Sequence, residues 1–295
     1  MKKLFCLFWL GLSLVWLLPV FGAQGELRII SYGRDLTPAE RTEIIKDFPL
    51  PAGVSLEEIK SITVTNEEEW NLLRGLVPDE QIGVKAVSSA YIEKLAAGVG
   101  IKVDTKNITL ITPHIYANAL STAGVTDARI FATAPQPVSG TAALVGIFKS
   151  FESLTGKPIS SSVQRTAAQE LIATGNLGEK VGKEKAAVLV GRAKERVIGE
   201  QNATKENVTK IIEESAKEQD LRLSKSDKEQ LAELMLKIKQ LNLNLNAIQK
   251  QLRNYSAPPP EPAQPEEPSF FDRLLEFFKA IFSKFFSFVG KIMGR

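Results

Sequence analysis

The hydrophobic pattern begins with an apolar run. Residues 4–18 are hydrophobic apart from small residues; the run follows Lys2 and Lys3 and stops at Pro19, with Gly22 and Ala23 close behind. A short basic flank, an apolar stretch slightly short of a bilayer span and small residues after it have the layout of a secretory signal peptide. Residues 1–25 are therefore assigned to an export signal, cut after Gly22, Ala23 or Gly25.

From 26 to 136 the pattern alternates between strand and helix. Residues 26–32 read as a strand closed by Gly33. Thr37, Pro38 and Glu40 have the spacing of a capping box with proline at the first helical position. Ser55 and Glu58 repeat the cap pattern, and 62–65 form a short β-branched strand. Glu67, Glu68 and Glu69 open a helix where acids suit the dipole. Segments 86–95 and 99–104 are expected to pair with each other. Thr112 and Pro113 start a helix through Leu120, and 128–134 form a last strand ended by Pro135. This mixture predicts a sheet with helices packed on it.

From 137 to 255 the periodicity is helical, with segments at 142–154, 161–173 (broken by Gly175 and Gly178), 184–198, 205–219 and 226–255. The last carries Leu231, Leu234, Ile238, Leu241, Leu245, Ile248 and Leu252 in steps of three and four, a heptad seam. The fold class is α+β: an N-terminal mixed sheet with packed helices, then a mainly helical region with a long heptad-patterned helix.

Residues 256–268 are proline-rich and lack large apolar side chains, which defines an extended linker. Residues 269–295 form an amphipathic helix. Its apolar face holds Phe271, Leu274, Phe278, Phe282, Phe285 and Val289; Asp272, Glu276, Lys279 and Lys291 lie opposite. A basic amphipathic helix of this kind lies at a membrane interface, and its interrupting lysines oppose a spanning helix. The expected partner of 269–295 is a lipid surface; docking on the body and self-association are the alternatives.

Composition narrows the chemistry. Lys and Arg number 37 against 34 Asp and Glu, so the chain lacks the basic excess of a nucleic-acid binder. One cysteine, inside the export signal, excludes a disulfide framework and a cysteine zinc site. One histidine excludes His-rich clusters. Phosphate-loop, nucleophile-elbow, zincin and EF-hand spacings are absent, and no cofactor or metal is expected. Weak ligand-binding candidates remain. Ser139, Gly140 and Thr141 precede a helix and suit either an anion or an ordinary turn and cap. His114, Tyr116 and Asn118 share one helix and are candidates for lining a cleft. Asp104 with Asp127, and the run Glu67 to Glu69, are candidate carboxylate pairs, with solvated helix ends as the alternative for the run.

A family resemblance rests on several blocks: residues 107–112, 116–120, 122–125, 134–135, 138–144, 146–147, 174–178, 234–238 and 241–242. Together they resemble the YpuA-like exported proteins of Gram-positive bacteria, a family catalogued as a domain of unknown function, over about residues 27–253. The resemblance implies export and a shared body, and carries no activity, cofactor or catalytic residue with it. The linker and Phe-rich tail lie outside the blocks.

The expected role is an exported, non-enzymatic protein on the outer face of the bacterial cytoplasmic membrane or in the cell envelope. It would bind a partner protein or an envelope polymer. The alternatives are a carboxylate-dependent envelope hydrolase and a structural protein that self-assembles through the heptad seam.

Overall fold

A computed structural model describes residues 27–241, with 243–244, 246–248, 250 and 255. The expected export signal, proline-rich linker and amphipathic tail lie outside the described residues.

The elements run β1 (Arg28–Gly33), α1 (Pro38–Ile45), β2 (Lys60–Val64), α2 (Asn66–Leu73), α3 (Asp79–Ile82), β3 (Ser89–Lys94), β4 (Ile101–Ile108), α4 (Pro113–Thr122) and β5 (Ala128–Val138). Helices α5 (Thr141–Thr155), α6 (Ser161–Val181), α7 (Lys183–Gly199), α8 (Lys205–Lys217) and α9 (Lys225–Gln240) complete it. The α+β class with a mixed N-terminal sheet and a following helical region holds. The capping box at Thr37 forms: its hydroxyl accepts from Glu40 N and Glu40 answers to Thr37 N. A second box at Thr65 and Glu68 starts α2.

The sheet order is β2-β1-β3-β5-β4. β1 is parallel to β2, and β4 is parallel to β5. Between these two βαβ units β3 runs antiparallel to both β1 and β5. The expected pairing of 86–95 with 99–104 is thus replaced: β5 inserts between β3 and β4. β5 also extends beyond Pro135 and Pro137. Pairing with β3 ends at Thr133, so the prolines fall where no donor is needed on that side. Asn107, at φ 58°, makes the irregularity that lets Ile108 meet Val138.

The sheet buries both faces. On one, Ile30, Tyr32 and Tyr91 pack with Ile44 of α1 and Phe48. On the other, Ile92, Ile130 and Val103 meet α4 and α5, and α6 packs on α4 and α2. A second core joins Leu177 of α6 to α7, α8 and α9. Helix α6 belongs to both cores. It runs straight through Gly175 and Gly178, where a break was expected. A Cβ at Gly175 would stand 3.1 Å from Leu110, and one at Gly178 would stand 2.9 Å from the Lys183 backbone. Close packing outweighs the roughly 1 kcal/mol that glycine costs in a helix.

The long heptad helix is not observed. α9 ends at Gln240 with Leu241 as its C-cap. Leu231, Leu234 and Ile238 are buried in the chain's own second core.

One interaction ties the two cores together. Lys194 of α7 and Glu170 of α6 are both fully buried and stand 2.7 Å apart. The Lys194 ammonium also donates to Asn118 O (2.6 Å), Ser121 Oγ and Thr122 Oγ1 (both 3.0 Å) at the end of α4. Thr122 donates in turn to Glu170. Burial pulls the Lys194 ammonium down, and the Glu170 charge pushes it back up. Removing one member of such a pair strands a charge at a cost of about 3–5 kcal/mol, whereas replacing both with apolar groups is often near neutral. Lys194→Met should therefore destabilise by about that much in urea unfolding, and Lys194→Met with Glu170→Leu should recover most of it. A single-variant loss below about 1 kcal/mol, the range of an exposed pair, would contradict the assignment.

Candidate functional site

At one edge of the sheet β1, β2, β4 and β5 all end and β3 begins, as the registers of Gly33 with Val64 and Ile108 with Val138 require. In open α/β sheets the crevice outside the carboxyl strand ends is the usual place for ligands. Helix α5 starts there, directly after β5.

Its N-cap is Gly140, at φ +97°, which makes no side-chain cap. A Cβ at Gly140 would stand 2.6 Å from both Ile108 and the Tyr116 hydroxyl, so packing and conformation both demand glycine. Tyr116 is fully buried and donates to Gly140 O at 2.6 Å. Burial pushes its hydroxyl pKa up, and the Glu69 charge adds to the effect. Ser139 Oγ and Thr141 Oγ1 are 3.1 Å apart. Thr141 donates to Glu69 Oε1, while Ser88 Oγ accepts from Ala143 N at 2.8 Å.

The sequence offers Glu69 only as one acid of the run Glu67 to Glu69, either a carboxylate pair or a solvated helix end; of the three only Glu67 is exposed. Glu68 pairs with Lys149 at 2.5 Å and closes the Thr65 capping box. Glu69 is 3 % exposed, and its Oε2 has no hydrogen-bond partner. Burial pushes its carboxyl up to about 7; the Thr141 hydroxyl and the Asn66 amide pull it back, and the Asp35 charge raises it further. The signal was present in the spacing: Glu69, Leu72 and Leu73 share one helix face, and the two leucines are core residues.

The rim is polar. Exposed Asp35 accepts from Ala86 N at 2.7 Å, anchoring the segment before β3. Trp70 Nε1 and Asn66 Nδ2 both donate to Gly83 O, at 3.1 and 3.4 Å.

The other candidates lie apart from this group. His114 Nδ1 is 3.2 Å from Glu184 Oε2, and its ring stands 5.3 Å from that of Tyr255. Asn118 is fully buried and donates to Ala187 O at 2.8 Å, so it joins α4 to α7 rather than lining a cleft. Asp127 Oδ1 caps the turn at Gly98 and Gly100, which assigns it a local structural task. A groove of about 390 Å³ between α8 and α9 is lined by Lys205, Lys210, Lys225 and Lys228 among glutamates. Lys228 there is paired with Glu213 at 2.7 Å. Among the described residues no group of three or more His, Cys, Asp or Glu is placed to hold a metal. None of the described helices is long and apolar enough to cross a membrane.

The body is thus an α+β protein with a buried acid under its strand ends. The chain belongs to the family described as "Protein of unknown function (DUF1002)", whose model matches residues 32–255. It is 34 % identical over 265 residues to "Uncharacterized protein YpuA" of Bacillus subtilis (strain 168), covering 88 % of this chain and 89 % of that protein. The resemblance read from the sequence blocks is therefore shown. No solved structure matches.

The raised Glu69 carboxyl has a defined consequence for stability. The fold favours its protonated form, so its contribution is fully present below about 4.5 and is lost as pH rises through about 7. Unfolding free energy should fall across that window by an amount on the order of 3 kcal/mol from this group. Glu69→Gln, a neutral isostere, should flatten the fall and be the more stable form at pH 8. Denaturant unfolding at pH 4 to 8 measures it; parallel curves for the two proteins would contradict it.

Proposed function

We propose that the protein is an exported, non-enzymatic binding protein, held at the outer membrane surface by residues 269–295, whose body takes a ligand or partner at the strand-end site. The single observation that carries the binding reading is the buried Glu69 carboxyl, whose Oε2 makes no hydrogen bond, beside the first residue of α5. A buried acceptor without a partner costs about 1–3 kcal/mol, and such groups concentrate where function requires them. Export is supported by the basic, apolar and small-residue order of residues 1–25. Attachment is supported by the basic amphipathic pattern beyond the linker, including Phe271, Phe278, Phe282 and Phe285.

One feature favours the second reading, a carboxylate-dependent hydrolase: burial pushes the Glu69 carboxyl up to about 7, and the Asp35 charge raises it further. Against it, Asp35 is occupied in anchoring Ala86 N. That contact suits a loop anchor and site rim better than a general base. Self-association through the heptad seam has less support. Leu231, Leu234 and Ile238 are consumed in the chain's own core, so an assembling surface would have to lie elsewhere.

Removal of 269–295 tests the attachment. Mature chains with and without the segment are mixed with anionic vesicles and separated by flotation. The full mature chain should float with the lipid and the shortened one should stay in solution, with stronger binding at low salt. Equal partitioning of the two would overturn the attachment.

A further inference from the structure

We propose that the base of the sheet, opposite the strand-end site, is the face that the body lays against an anionic lipid surface. This assignment rests on the attachment by 269–295 and adds which side of the body meets the lipid.

Charge singles out this end. Here β1, β4 and β5 begin and β3 ends. The registers of Arg28 with Glu93, Glu93 with Arg129 and Arg129 with Lys102 set four side chains in one row on one face. Glu93 pairs with Arg28 at 2.7 Å and faces Arg129 at 3.6 Å, so one acid answers two arginines. Lys94 and Lys102 are exposed, and among the described residues no acid pairs with either. In the turn between β3 and β4, a Cβ at Gly98 would stand 3.0 Å from Nζ of exposed Lys250. These five cations stand against Glu93, Asp127 and, two residues further along β4, Asp104.

The same end carries apolar tips. Leu27 and Val99 are 37 % and 38 % exposed. Leu27 O accepts from Lys94 N at 2.8 Å, and Val99 lies in the turn before β4. Apolar side chains flanked by basic ones suit the headgroup boundary, where the first enter and the second meet phosphate.

The chain also leaves the body here. Tyr255, directly before the linker, donates to Ile101 O at 2.6 Å, beside Lys102. Linker residues 256–268 hold the tail within about 40 Å of that point. The tether brings the body to the surface, and charge sets which side turns to it. The chain's own tail is a poorer occupant: residues 269–295 hold five basic and two acidic side chains, which this end repels. A second copy would set like charges against like in a two-fold contact.

The test uses the mature chain, which lacks Cys6, with an environment-sensitive fluorophore on Val99→Cys or on Val84→Cys. Val84 is 84 % exposed and lies two residues before Ala86, which Asp35 holds at the strand-end side. On vesicles of phosphatidylglycerol and phosphatidylcholine, the Val99→Cys label should lose about threefold or more of its quenching by aqueous acrylamide. The Val84→Cys label should keep its full quenching. Lys94→Glu with Lys102→Glu should restore quenching at Val99→Cys and weaken vesicle affinity about 25-fold, at roughly fivefold per basic side chain. A chain that floats with both labels fully quenched overturns the docking and leaves the tail attachment standing. A chain that does not float overturns both. Protection at Val84→Cys overturns the orientation. Protection at Val99→Cys that survives the double reversal, or is equal on pure phosphatidylcholine, overturns the anionic contact. Protection without vesicles that grows with protein concentration assigns this end to a second copy and overturns the lipid assignment.

Discussion

The fully buried contact between Lys194 and Glu170 is the interaction on which the architecture depends. A lysine ammonium and a carboxylate removed from water are tolerable only when paired and surrounded by further hydrogen-bonding groups. Here the partners come from three helices: α7 brings Lys194, α6 brings Glu170, and the end of α4 brings Asn118 O, Ser121 and Thr122. The directional bonds join the sheet-backed core to the core of α7, α8 and α9, alongside the close packing at Gly175 and Gly178. Buried polar groups of this kind give specificity more than stability.

The strand-end site inherits its shape from the same arrangement. Helix α4 carries Tyr116 to Gly140, which holds the left-handed turn before α5. α5 then lies on β1 and β3, and α2 brings Glu69 to its first residue. No element positions Glu69 alone. The parallel pairs β1–β2 and β4–β5 end at the same edge because β3 reverses between them. That edge is where Asp35, Glu69, Ser139 and Thr141 gather.

Much of the local structure was legible. The capping box at Thr37, the acidic start of α2, the Thr112–Pro113 start and the helical region after β5 follow from spacing and cap chemistry, whereas the box at Thr65 emerged only in the structure. The partner of each strand was not, because register and order depend on contacts far apart in the chain; β5 displacing β4 from β3 is such a case. α6 continues through two glycines because Leu110 and Lys183 need the space, which no propensity reports. At the candidate site, Ser139, Gly140, Thr141 and Tyr116 were singled out and do meet. Glu69 was not separable from Glu67 and Glu68 in the acidic run, because acids at a helix start are usually solvated. Glu170 and Lys194 escaped for a related reason: each is a charged residue on a helix face otherwise given to small and apolar side chains, as with Lys194 among Val190, Ala193 and Val197. A charge on an apolar stripe was the common sign of all three buried groups.

The buried pair makes the sheet-backed core and the helical core a single cooperative unit. Native-state hydrogen exchange of the intact chain and of Lys194→Met tests it most directly. Amides of α4, α6, α7 and the start of α5 should lose the same increment of opening free energy in the variant. Loss confined to α7, α8 and α9, with α4 and α5 protected as before, would contradict it.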